Sequence, residues 1–283
     1  MHDAEILIVG AYGQLGKALQ ARFPGAAAVD REQLDITDPA ALAAFDWSKI
    51  RYLLNAAAYT NVDGAETPEG RGAAWKINAQ AVANLARMAA ERDLTMIQIS
   101  SDYVFDGTKT PHTEEEPFTP LGVYAQSKAA ADIIVGTLPK HYVVRVSWLI
   151  GDGPNFVRTM MGLAAKNISP KVVDDQIGRL TFTATLVDGI EKLLRDKAQY
   201  GTYNLSNSGE PASWAEITRA IFAELKRDDL MVTGVTTADY YADKPGIAPR
   251  PLQSTLDLSK IESAGLKPAE WRLQLAEYIA SQA

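Results

Sequence analysis

A doubly wound α/β fold, with a parallel sheet flanked by helices on both faces, is predicted by two patterns in this sequence. Short apolar runs alternate with helix-period segments throughout the first half. A glycine-rich turn, Gly10-Ala-Tyr-Gly13-Gln-Leu-Gly16, joins the first apolar run to the first helical pattern.

In order along the chain, residues 5–9 read as a strand from their Ile-Leu-Ile-Val run, and 14–23 as a helix stopped by Pro24-Gly25. Residues 26–29 are a second strand. Asp38-Pro39 opens a helix, with the aspartate as N-cap and proline at the first helical position. A third strand covers 52–54 and a long helix about 71–91. A fourth strand at 94–99, a helix at 123–135 and a fifth strand at 142–146 complete the alternation. Beyond it the pattern loosens. Residues 155–165 read as helical, 171–173 as extended, 184–194 as helical and 202–205 as a strand. Ser213 caps a helix over 213–225, with Glu216 at the capping-box position. The Thr-, Tyr-, Pro- and Gly-rich segment 233–255 suits a surface loop or lid, and 271–281 closes the chain as a helix. The expected architecture is a Rossmann-like doubly wound parallel sheet with a smaller C-terminal α/β substrate lobe. Residues 1–149 and about 170–207 form the dinucleotide-binding domain, and about 150–169 with 208–283 the substrate-binding lobe.

Bulk properties narrow the function. With 28 basic and 35 acidic residues among 283, the formal charge is −7, and no Lys/Arg run offers a nucleic-acid footprint. The absence of cysteine excludes disulfides, thiolate metal sites and cysteine nucleophiles. No apolar run approaches the roughly 20 residues that span a bilayer. Met1 runs into the first strand with neither a basic segment nor an apolar leader, so a cytoplasmic location without membrane contact is expected.

The glycine loop follows a strand and opens a helix, the context in which free N–H groups and the helix dipole receive a pyrophosphate. Its first glycine permits the turn, the second the approach of the phosphates, and the third the packing of helix on strand. Asp30, at the end of the second strand, suits the ribose hydroxyls of NADH. Arg31, beside it, suits the 2′-phosphate of NADPH, so either cofactor is open. Asp35-Ile36 either flanks the adenine or shapes the turn into the Asp38-Pro39 helix. Small residues in Asn55-Ala-Ala-Ala58-Tyr59-Thr60 let the backbone lie against the middle of the cofactor. The cofactor-contacting set is Gly10, Gly13, Gln14, Leu15, Gly16, Asp30, Arg31, Asp35, Ile36, Ala57, Ala58, Tyr59, Thr60, Tyr124 and Lys128.

Tyr124-Ala-Gln-Ser-Lys128 places a phenol and an ammonium on one helix face. A nicotinamide-dependent carbonyl reduction needs a proton for the carbonyl oxygen. A free tyrosine, with a pKa of about 10, is a poor donor at neutral pH. A nearby ammonium is expected to lower that value, while Ser101, ending the fourth strand, donates to the developing alkoxide. Tyr124, Lys128 and Ser101 are the catalytic candidates. Asn78, inside the long helix, either holds a water that relays protons to Lys128 or marks a helix irregularity.

These motifs resemble the extended short-chain dehydrogenase/reductase superfamily, and within it the dTDP-4-dehydrorhamnose reductase family. The similarity runs through Gly13-Gln-Leu-Gly16, Leu34-Asp-Ile-Thr-Asp-Pro39, Asn55 to Asp63, Ser101-Asp-Tyr-Val-Phe-Asp-Gly107, Tyr124-x-x-x-Lys128, Ser147-Trp148, Asn155-Phe156, Val173-Asp-Asp-Gln176 and Arg250-Pro251. The resemblance implies reduction of the C4 keto group of dTDP-4-dehydro-L-rhamnose with NADPH or NADH. Tyr124 is then the proton donor, and Ser101 stands for the family's usual threonine. Ser101, Asp102, Tyr103, Trp148, Asn155 and Arg250 contact the sugar nucleotide, Arg250 as a pyrophosphate clamp. Sugar-nucleotide dehydratases of the superfamily carry Thr-Asp-Glu where this chain has Tyr103 as the third residue, so dehydration lacks its acid. Ala18 replaces the acidic residue through which some members bridge subunits with Mg²⁺, so no metal is expected. Leu180 and Gln253 replace a usual proline and asparagine near the expected substrate side. A monomer or homodimer, and a linked 3,5-epimerase partner or domain, are left open. A non-catalytic cofactor-binding regulatory subunit and a reductase or epimerase of another sugar nucleotide are the competing readings.

Overall fold

The computed structural model describes residues 1–282. Its main sheet has six parallel strands: β1 (Ile6–Val9), β2 (Ala27–Val29), β3 (Tyr52–Asn55), β4 (Thr95–Ser101), β5 (His141–Val146) and the Gly201–Asn204 strand. Their spatial order is Gly201–Asn204, β5, β4, β3, β1, β2, so the chain reverses direction across the sheet between β1 and β3. Loops leaving two such strands diverge and open a crevice at their carboxyl ends. The glycine loop after β1 and the alanine run after β3 form its walls.

Both faces of the sheet are covered. On one, Leu7, Leu53, Met96 and Val143 pack against Leu42 of the Pro39–Ala44 helix, Leu85 of the Ala81–Glu91 helix and Val135 of the Val123–Gly136 helix. On the other, Ile6, Ile8, Leu54 and Val144 meet Leu15 and Leu19 of α1 (Gln14–Arg22) and Leu186, Ile190 and Leu193 of the Thr183–Arg195 helix. A third apolar cluster joins Val157 and Met160 to Leu180, Phe182, Ile217, Phe222, Trp271 and Leu275, and forms the core of the smaller C-terminal layer.

Segment 170–207, assigned as a whole to the larger unit from sequence, is divided. Val172, Leu180 and Phe182 pack in the smaller cluster, whereas 183–204 return to the sheet. Leu258 and Ile261 also join the larger core, through a short helix at Ser259–Ser263 that the sequence pattern does not announce. The segment expected as a loop over 233–255 begins with a strand, Thr233–Val235, paired in parallel with Lys171–Val173, and a short helix, Thr237–Tyr241.

The helix expected over 71–91 begins earlier, at Pro68, where Thr67 accepts from the Gly70 amide and proline occupies the first helical position. It is also interrupted, because Lys76–Gln80 form a π-helical turn. Asn78 accounts for the bulge. Its side chain accepts the Tyr59 amide (2.8 Å) and donates to the Tyr59 carbonyl (3.1 Å) and to Ser127 Oγ (3.0 Å). The irregularity therefore ties the loop after β3 to the helix carrying Tyr124.

Candidate active site

The β1–β3 crevice holds two connected cavities. One, of about 410 Å³, is lined by Gly10, Gly13, Asp30, Arg31, Asp35, Ile36, Ala56, Ala57, Ala58, Lys76 and Ile77. The second, of about 930 Å³, shares Gly13 and the three alanines with it and extends to Ser101, Asp102, Tyr103, Tyr124, Lys128, Trp148 and Arg250.

Two glycines of the loop are required by close approach of the chain to itself. A Cβ on Gly10, whose φ is +81°, would stand 2.5 Å from the Ala57 amide nitrogen, and one on Gly16 would stand 2.1 Å from the Gly10 carbonyl oxygen. Gly13 differs, since its only close neighbour would be that same oxygen, at 3.5 Å. It caps α1 without a side chain and leaves the first N–H groups of the helix open to the cavity shared with Gln14 and Leu15. That cradle fits a pyrophosphate. Gly16→Ala is expected to force α1 off β1, costing roughly 1–3 kcal/mol, and to weaken dinucleotide binding. Thermal melts and cofactor titration of the same variant check both.

Asp30 holds the loop in shape. Its two carboxylate oxygens accept the Tyr12 amide (3.0 Å) and the Arg31 amide (2.8 Å), and the residue still lines the cavity. The Arg31 side chain is largely exposed, with only a loose ion pair to Asp35 at 3.6 Å. It is a cation placed to meet an added phosphate. Asp35 and Ile36 line the cavity, and the Asp35 carboxylate accepts the Thr37 amide and hydroxyl at 2.9 and 2.7 Å. Those bonds, the hydroxyl's foremost, hold the Asp35 carboxyl below its ordinary value.

Ala57, Ala58 and Thr60 line the large cavity. Tyr59 does not; its ring packs with Ala65, Ala74 and Val123 behind the loop. Asn55, buried at the end of β3, donates to Gln98 Oε1 (2.8 Å) and accepts the Ala57 amide (3.1 Å), which sets the turn that presents the alanines.

Ser101 ends β4, and Tyr124 and Lys128 come from the Val123–Gly136 helix that crosses above it. All three line the large cavity. Lys128 is buried, and its Nζ donates to the Ile99 carbonyl at 2.6 Å. Burial lowers its pKa to about 8, against the pull of Asp132. The expected lowering of Tyr124 is not what the geometry gives. Burial, reinforced by the Asp102 charge, pushes the phenol up to about 12, and the Ser101 hydroxyl draws it back only partway. Desolvation of the phenolate dominates, and the Lys128 ammonium is committed to the Ile99 carbonyl. The result is a tyrosine that keeps its proton at neutral pH but is a weaker acid than the free residue.

Tyr103 meets Tyr124 edge to face, with ring centroids 6.0 Å apart. Trp148, at φ +43°, stacks on Trp214 at 3.7 Å, and Phe156 tilts against Trp214 at 4.3 Å. Gly178 makes room for the indole, since a Cβ there would lie 3.0 Å from it. Arg250 donates to the Ala248 carbonyl (2.8 Å) and to Asp63 Oδ2 (2.9 Å). It thereby bridges the two halves of the molecule, at the boundary between the large cavity and a third of about 340 Å³ lined by Tyr103, Val172, Gln176, Trp214, Tyr240 and Tyr241.

Asn155 lies outside this lining. Its amide donates to the Gly151 and Gly153 carbonyls and to Tyr278 Oη, and its oxygen caps the Phe156–Ala165 helix, so it shapes the loop while Pro154 and Phe156 face the cavity. Leu180 is fully buried in the C-terminal core, and Gln253 offers its backbone carbonyl to His112, so neither side chain is placed among the cavity residues. Sequence reading does not name Trp214 or Lys76, and meets Phe156 and Gln176 only within the stretches that carry the resemblance, without a role. Trp214 follows a capping serine that is legible, but its pairing with Trp148 depends on a fold contact 66 positions apart.

Among the described residues, no helix is long and apolar enough to cross a membrane. None of their His, Asp or Glu side chains gather in threes to hold a metal ion.

The family model described as RmlD substrate binding domain matches residues 4–283. A dTDP-4-dehydrorhamnose reductase of Aggregatibacter actinomycetemcomitans is 37% identical, over 96% of this chain and 97% of its own. Among solved structures, a dTDP-4-dehydrorhamnose reductase of Clostridium acetobutylicum superposes with a TM-score of 0.91 at 38% identity, covering 98% of this chain and 99% of that one. The Bacillus anthracis enzyme of the same name, in complex with NADP, gives a TM-score of 0.89 at 33% identity, with 98% of each chain covered.

Proposed function

For a chain that belongs to the dTDP-4-dehydrorhamnose reductase family, we propose NAD(P)H-dependent reduction of the C4 keto group of dTDP-4-dehydro-L-rhamnose to dTDP-L-rhamnose. The observation that carries this reading is that Ser101, Tyr124 and Lys128 line the same cavity as the glycine loop. The relatives named above supply the substrate class.

A bound reduced nicotinamide supplies the hydride. The chain's own groups do the rest. Free N–H groups at the start of α1 would hold the pyrophosphate, and the small alanines after β3 would leave room for the middle of the dinucleotide. Tyr124, neutral and desolvated, delivers its proton to the carbonyl oxygen as the hydride reaches carbon. Lys128 remains mostly an ammonium at neutral pH and offsets the phenolate that forms. Trp148, Trp214 and Tyr103 provide apolar walls for the sugar, and Arg250 a cation for the nucleotide diphosphate.

Oxidation of NADPH or NADH, followed by absorbance with dTDP-4-dehydro-L-rhamnose as the oxidant, tests the proposal. Turnover with either cofactor supports it, and none with both would return the weight to a cofactor-binding subunit. The same assay checks Arg31. Arg31→Ala is expected to weaken NADPH roughly 10- to 100-fold, the value of a charge-assisted bond, with little change for NADH. An equal loss for both would show that Arg31 does not meet the 2′-phosphate.

A further inference from the structure

Ser101 and Asp102 share a single hydrogen. The Ser101 hydroxyl donates to Asp102 Oδ1 at 3.0 Å and accepts the Tyr103 amide at 3.1 Å. A hydroxyl has one hydrogen and two lone pairs. Beside an ionised Asp102, Ser101 therefore has no hydrogen left for the cavity. It keeps one lone pair. Reduction of a carbonyl nevertheless builds negative charge on its oxygen, and that oxygen needs donors. As it stands, the site turns the serine's hydrogen inward toward a carboxylate.

We propose that Asp102 is a positioning residue acting through Ser101. Ionised, it holds the Ser101 hydrogen away from the substrate; protonated, it donates to Ser101 Oγ and turns that hydrogen out to the carbonyl oxygen. The proposal rests on the reductase reading above. The exchange moves one proton onto the carboxyl and changes no other bond.

The surroundings suit such a switch. Asp102 is 3% exposed, at the first position after β4. Burial raises its pKa to about 6, with Ser254 of the C-terminal loop, Ser101 and the His112 charge drawing it down. Tyr124 from the overlying helix and Tyr103 on its own turn are the other ionisable groups beside it, and Arg250 faces Tyr103. His112 is itself held by Glu116 Oε2 (2.9 Å) and the Gln253 carbonyl (3.0 Å).

Two measurements test the link. First, kcat for reduction should rise several-fold as pH falls through about 6, separately from the loss of the Lys128 ammonium above about 8. Asp102→Asn, whose amide always has a hydrogen for Ser101, and Ser101→Ala should both remove the lower inflection, while Ser101→Thr keeps it. A uniform loss of kcat in Asp102→Asn with the inflection intact would overturn the proposal and leave a structural role. Second, in the protein bound to NADP⁺, carbon NMR of labelled aspartates identifies the Asp102 carboxyl by its loss in Asp102→Asn. It should titrate near 6 and move upward in Ser101→Ala, which removes a donor to the carboxylate. A titration indifferent to Ser101→Ala would overturn the exchange. Failure of the wild type to reduce the keto sugar would instead overturn the reductase reading, with the NMR titration still deciding the exchange.

Discussion

Tyr124→Phe is expected to lower kcat by roughly 10²- to 10⁴-fold, the usual worth of a positioned general acid, with cofactor affinity nearly unchanged. Only the hydroxyl is removed, and the ring keeps its edge-to-face contact with Tyr103. Single-turnover rates with the keto sugar, beside fluorescence titration of the cofactor, separate chemistry from binding. Turnover close to wild type would remove Tyr124 from the mechanism.

Loss of Arg145 is expected to produce the largest fall in stability. Its Nε donates to Asp132 at 3.0 Å and its Nη1 to the Glu114 carbonyl at 3.0 Å, with both side chains of the ion pair almost fully buried. The guanidinium also lies 5.1 Å from the ring centres of Phe105 and Phe118. Burial already raises the Asp132 carboxyl, and Arg145 is the charge that most draws it down. Arg145→Met leaves that carboxylate uncompensated. The cost is about 3–5 kcal/mol, or a Tm lower by on the order of 10 °C. Asp132→Leu combined with Arg145→Met should recover much of it, since two apolar groups need no partner. Thermal melts of the single and double variants decide the matter; additive losses would contradict the pairing. Asp132 lies one turn beyond Lys128 on the helix that carries Tyr124, so the double variant should also lower the lysine's pKa further.

The residues that could be read directly are those whose roles are local. Glycines at 10, 13 and 16, the Asp38–Pro39 and Ser213–Glu216 starts of helices, and the four-residue step from Tyr124 to Lys128 each need only neighbours in sequence. Asn155 shows where such reading fails. It lies beside cavity residues in the chain, yet its amide reaches Tyr278 and two loop carbonyls. The direction of the Tyr124 shift was equally out of reach. Helical spacing reports that an ammonium is near, whereas burial depends on everything that covers the site.

By itself, the sequence determined the parallel sheet, the glycine turn and the placing of Tyr124 and Lys128 on one helix face, because period, turn chemistry and helical spacing are short-range properties of a chain. Only the tertiary structure decided that Trp214 would face Trp148, that Arg250 would bind Asp63 across the cleft, and that Ser101 would give its one hydrogen to Asp102. Those outcomes depend on packing between distant segments and on the water it removes. Removing water turns a nearby carboxylate, lysine and tyrosine into groups with altered proton affinities.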